Sequence, residues 1–123
     1  MKEYYQPKGG KKGRFALREN TYRRTWYLIA DYPYFKAVQK GQSDVTGVAE
    51  QMAIYDLKPS QYERYIAAIE DAQQMVPEDY VKCIMSHIID RKKYKDMRDV
   101  SETTLKIWVQ RFIWHVAHNL GDA

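Results

Sequence analysis

The sequence predicts an all-α fold, and three observations carry that expectation. Apolar residues recur at steps of three and four in several segments, and no segment sustains a period-two alternation bounded by turn dipeptides. Capping residues or prolines also stand where the apolar stripes begin and end. The length of 123 residues suits one compact core, or a core with tails. The longest apolar runs are a few residues, far below the ~20 that span a bilayer. Met1–Pro7 holds no apolar stretch that could serve as a signal peptide, and the single cysteine, Cys83, cannot make an internal disulfide. A cytoplasmic chain is expected.

The elements follow in order. Lys8-Gly9-Gly10-Lys11-Lys12-Gly13-Arg14 joins three glycines to four cations without an apolar residue, so residues 1–14 are expected to form a flexible basic tail. From Phe15 the chain shows Leu17, Tyr22, Trp26, Tyr27, Ile29 and Ala30 with arginines between them, which predicts a first helix over about 15–31. Pro33 is expected to stop it, because a residue before proline is steered out of the α region. Gly41-Gln42-Ser43-Asp44 is a loop signal, and Val45, Val48, Ala49 and Met52 then predict a helix over about 45–57, ended by Pro59. Ser60-Gln61-Tyr62-Glu63 matches a capping box; Tyr62, Ile66, Ile69, Ala72, Gln73 and Val76 extend it into a helix over about 61–75. Pro77-Glu78-Asp79 opens the next, about 78–90, whose stripe is Val81, Ile84, Met85 and Ile88.

The last element has the strongest pattern. Asp99 and Ser101 are candidate N-caps, and Leu105, Trp108, Val109, Phe112, Ile113, Val116, Ala117 and Leu120 follow at alternating steps of three and one. Gly121 closes a helix of about 101–120. Between it and the preceding helix, residues 94–100 have room for one or two short helical turns and a tight turn. A supporting helix, a short helix, a turn and a long helix is the order of a helix-turn-helix, whose second helix presents its N-terminal residues to base edges. The side opposite the buried stripe carries Thr103, Ile107, Gln110, Arg111, Trp114 and His118, with Lys106 on the flank. Ser101, Thr103, Lys106, Gln110 and Arg111 are groups suited to base edges and phosphates. Ile107 and Trp114 are large and apolar on that side, so they are expected either to meet a partner, a second copy included, or to be covered by the first helix.

The net charge of +4 is unevenly spread. Residues 1–44 hold 10 basic and 4 acidic side chains, giving +6, and residues 45–123 hold 10 and 12, giving −2. A basic block of this kind marks contact with a polyanion or a solvated end.

Two sets of residues then carry a resemblance. Val76-Pro77-Glu78-Asp79-Tyr80-Val81, Asp90-Arg91-Lys92-Lys93-Tyr94, Trp108-Val109-Gln110-Arg111-Phe112-Ile113 and Val116-Ala117-His118-Asn119-Leu120 form one set. Tyr22-Arg23-Arg24-Thr25-Trp26-Tyr27-Leu28-Ile29 with Asp31-Tyr32-Pro33 forms the other. The chain resembles the RinA/ArpU/LtrC group of phage late-gene transcriptional activators over most of residues 15–121. The resemblance implies a DNA-binding activator of Gram-positive phages or prophages, with a C-terminal helix-turn-helix similar to region 4 of bacterial sigma factors. It implies base contacts at the start of the last helix, here Ser101, Glu102, Thr103, Thr104, Lys106 and Gln110.

The resulting expectation has three regions: a tail (1–14), an N-terminal helical region (15–75) and a helix-turn-helix region (76–123). Lys11, Lys12 and Arg14 in the tail, with Arg91, Lys92 and Lys93, would neutralise phosphates of double-stranded DNA, and RNA polymerase would be a further partner. The competing expectation is an oligomeric phage structural or packaging component, small-terminase-like, joined through Ile107 and Trp114. Cys83, His87, His115 and His118 have spacings that could hold zinc, but Cys83 and His87 lie off their helix's stripe and His118 points away from its own. No metal or other cofactor is therefore expected. Glu70-Asp71 and Glu78-Asp79 sit near helix ends, where capping explains them, and no phosphate-binding loop follows a strand, so no enzyme is expected. Tyr22 and Trp26, which could stack on nucleobases, have the spacing of core residues.

Overall fold

A computed structural model describes residues 4–5, 15–39, 59–97 and 100–123, and among these the fold is helical. The predicted helix over 45–57 and the cations of the tail lie outside the described residues. Tyr4–Tyr5 (β1) pairs antiparallel with Leu17–Arg18 (β2), so this part of the tail is tied back to the helical body rather than loose. Among the described residues five α-helices follow: α1 (Glu19–Ala30), α2 (Tyr32–Gln39), α3 (Pro59–Gln73), α4 (Glu78–Ile89) and α5 (Glu102–Asn119). One 3₁₀ turn, Tyr94–Asp96, stands between α4 and α5.

Proline does more at Asp31-Tyr32-Pro33 than end a helix. Asp31 caps α1, its N–H donating to Tyr27 and Leu28 carbonyls, while its own carbonyl accepts from Tyr34 and Phe35. A proline in the first helical turn gives up an N–H that has no partner there anyway, so Pro33 is compatible with starting α2. The break therefore reorients the chain, and α2, which sequence periodicity had not predicted, buries Phe35 and Ala37. Its outer side is fastened to α3, where the Tyr32 hydroxyl donates to Glu70 Oε2 at 2.6 Å and Lys36 stands 3.4 Å from the same oxygen. The Tyr32 bond, then the lysine, hold the Glu70 carboxyl below its ordinary range against partial burial. Proline also opens α3 at Pro59, placing Ser60 inside the helix rather than at its cap.

One cluster of buried residues runs from Leu17 to Leu120, so the two helical regions expected from sequence share a core. Its centre is α5, which lies against α1, α3 and α4. Leu105, Val109, Phe112, Ile113, Val116 and Ala117 are buried there, as the stripe predicted. They meet Tyr62, Ile66, Ile69 and Ala72 of α3, Ile84 and Ile88 of α4, and Leu28 and Ile29 of α1. Tyr27, read as part of the first apolar stripe, is instead 56% exposed.

Both ends of α5 are closed by local chemistry. Ser101 is extended, and its hydroxyl accepts from the Thr104 N–H. At the far end Gly121 adopts φ +84° and donates to the His118 carbonyl, while Asp122 N–H donates to Ala117, the two bonds of a Schellman motif.

Candidate nucleic-acid interface

The segment that leaves α4 begins with an unusual backbone. Asp90 caps the helix, Arg91 takes φ +56°, and the Lys92 N–H turns back to the Ser86 carbonyl at 3.3 Å. Left-handed φ costs an L-residue roughly 1–2 kcal/mol, so the turn needs support from elsewhere. His87 supplies it: its Nδ1 donates to the Lys92 carbonyl at 2.7 Å, a role suited to a histidine in a helix's last turn. The His87 ring is itself fixed, stacked on Tyr94 with centroids 4.0 Å apart and met edge-on by Trp26 at 5.3 Å. Arg91, Lys92 and Lys93 are all exposed on this turn.

Tyr94 links the turn to α5. Its ring, carried by the 3₁₀ turn, receives the Lys106 ammonium 5.4 Å from its centroid. Burial, and secondarily the Glu102 charge, push its phenol up to about 12, so it stays protonated at neutral pH. Lys106 also stands 3.1 Å from the Glu102 carboxylate one turn earlier. Ser101, Glu102 and Thr103 are exposed and Thr104 is partly so. Tyr94 thus links the turn that carries Arg91, Lys92 and Lys93 to Glu102 and Lys106 of α5.

The outer face of α5 departs from its expectation further along. Gln110, expected to face solvent, is 5% exposed and its side-chain amide donates to the Phe15 carbonyl. It is therefore not free to face a base. The helical wheel placed it correctly opposite Leu105, but the N-terminal segment lies over that side. The Phe15 ring sits 5.2 Å edge-on to Trp114 and 5.0 Å from the Arg111 guanidinium, which also lies 5.1 Å from Trp108. Trp108 in turn stacks on Tyr80 of α4. Trp114, partly buried, also stacks on His118 at 4.8 Å, so the covering of this face comes from the chain itself. Ile107 stays partly exposed. Lys11, Lys12 and Arg14 fall outside the described residues.

The expected helix-turn-helix is not established by the described residues. In the segment expected to hold one or two short helical turns and a tight turn, a 3₁₀ turn forms at Tyr94–Asp96, with buried Met97 following it, and residues 98–99 lie outside the described residues. The alternative zinc set is not assembled: among the described residues no three His, Cys, Asp or Glu side chains are grouped to hold a metal ion. His87 and His118 each spend Nδ1 on a carbonyl, of Lys92 and Ala123 respectively. Among the described residues no helix is long and apolar enough to cross a membrane. Sequence reading missed the bracing roles of His87, Tyr94 and Phe15. Only His87 left a signal, its place in the last turn of α4. Comparison with protein-family models, with curated proteins and with solved structures finds no match.

Proposed function

We propose that this chain is a sequence-specific DNA-binding transcriptional activator, of the kind found among phage and prophage late-gene regulators. In this reading the start of α5 enters the major groove while the turn after α4 grips the flanking backbone. The observation that supports it is the Tyr94 ring, which stacks on His87, the brace of the turn carrying the exposed Arg91, Lys92 and Lys93, and also receives Lys106 from α5. Phosphate contacts set register and base contacts set sequence, and the two groups divide in that way. Thr103 and Lys106 are the base-facing candidates, with Ser101, Glu102 and Thr104 around them. Lys106 must exchange its Glu102 partner for a base or phosphate, a small cost for a pair exposed to water. Gln110 and Arg111 act in this reading by holding Phe15 against α5. The tail cations Lys11, Lys12 and Arg14 would add affinity without sequence preference, and contact with RNA polymerase would complete activation.

The test is selection from random duplexes, followed by a mobility-shift titration of the selected sequence against its scrambled form at about 150 mM salt. A regulator should prefer its site by ~10³ or more. The Thr103→Ala, Lys106→Ala double variant should lose most of that preference while keeping its affinity for scrambled DNA. Failure of any sequence to enrich, or equal affinity for both duplexes, would overturn the reading.

A further inference from the structure

A second charged feature lies among α1, α3 and the turn after α5. A cavity of about 280 Å³ opens there, with Arg24 and Arg64 on its rim. That is just below the range of drug-sized ligand pockets, and fits an acid group carrying one ring or sugar-sized substituent. The two guanidiniums are differently held. Arg64 donates to the Leu120 carbonyl at 2.7 Å, which fixes its direction and takes up an acceptor at the negative end of α5. Arg24, with a side chain 64% exposed, is met only loosely by Asp122, whose carboxylate stands 3.6 Å away. Apolar walls complete the cavity, from Leu28 and Leu120, with the Tyr65 ring beside them.

We propose that this cavity binds a small organic phosphate monoester, its oxygens shared between Arg24 and Arg64 and its organic group against Leu28, Leu120 and Tyr65. Guanidinium forks match the oxygens of a phosphate better than a lone carboxylate can exploit two of them. Asp122 occupies the position of such an anion from within the chain. It follows Gly121, whose left-handed backbone ends the helix, and its backbone is held by the Ala117 carbonyl while the carboxylate stands 39% exposed at Arg24. The ligand would displace it from Arg24, and Asp122 therefore acts as a built-in competitor. This site holds whether or not the chain reads DNA, because none of its residues belongs to the α4–α5 surface.

The experiment is calorimetric titration of the full chain with phenyl phosphate, at fixed ionic strength. Asp122→Asn should bind about tenfold more tightly than the unaltered chain, because one repelling and competing charge is gone. Arg24→Gln and Arg64→Gln should each bind at least tenfold more weakly. Arg64→Lys, which keeps the charge and loses the fork, should fall between, and circular dichroism checks that each variant is folded. Titration of a random duplex into the same variants separates a backbone-phosphate role from a pocket. If the arginine variants weaken duplex binding while phenyl phosphate binds neither the unaltered chain nor Asp122→Asn, the proposal is overturned. It is equally overturned if both arginine-to-glutamine variants keep their affinity for phenyl phosphate.

Discussion

A backbone carbonyl outside a helix or strand needs a donor, and at Phe15 that donor is the side chain of Gln110. The contact joins residues 95 positions apart and seals the face of α5 that carries Arg111 and Trp114. Removing the amide deletes this hydrogen bond at a buried side chain, a loss of about 1 kcal/mol. Gln110→Ala should therefore lower the unfolding free energy by that amount, seen as a lower denaturant midpoint with an unchanged slope. Its preference for one duplex over another should stay as in the unaltered chain once the unfolded fraction is allowed for. Equilibrium urea unfolding and the mobility-shift ratio together check this. A variant with normal stability and lost site preference would return Gln110 to the role of a base reader. Arg111 belongs to the same structural unit, since its guanidinium lies between Phe15 and Trp108, where stacking needs no phosphate.

Among the elements, the ends of α4 and α5 solve the same problem in opposite ways. Both helices end on a residue with left-handed backbone, but α5 uses Gly121 and α4 uses Arg91. Glycine meets that φ without steric cost, whereas arginine is strained and leans on the His87 bond to Lys92. Substitution should expose the difference. Gly121→Ala should destabilise by about 1 kcal/mol, and the whole cost is conformational, since an added Cβ would meet nothing within 4 Å. Arg91→Gly should stabilise by about 0.5–1 kcal/mol, less than the strain released because glycine also loosens the unfolded chain. Thermal unfolding of the two variants checks the opposite signs. A loss of stability in Arg91→Gly would mean that its side chain, rather than its backbone, holds the turn.

Across the whole molecule, what could be read from sequence was what one element decides alone. The α5 stripe emerged because burial on one helix follows a period of 3.6, and Leu105, Val109, Phe112 and Val116 are all buried. The cover over Gln110 was missed because a wheel holds no information about a segment 95 positions away. The α2 helix was missed because Pro33 was weighed only as a terminator, whereas the short helical turn before α5 is met at Tyr94–Asp96 as a 3₁₀ turn. Charge distribution, by contrast, is a property of the whole chain and has a whole-chain measurement. Each cation that contacts a phosphate releases about one counterion, so the slope of log K against log salt falls by ~0.9 per contact removed. Replacing Arg91, Lys92 and Lys93 together with glutamine should reduce that slope by about 2.7 if all three reach the backbone. Lys36→Gln, on α2 and paired with Glu70, should leave it unchanged. The triple variant should lose affinity for selected and scrambled duplexes alike, because phosphate contacts carry no sequence. A triple variant whose salt slope matches that of the unaltered chain would mean that the turn after α4 faces solvent in the complex, and that the positive surplus of residues 1–44 supplies the backbone contacts instead.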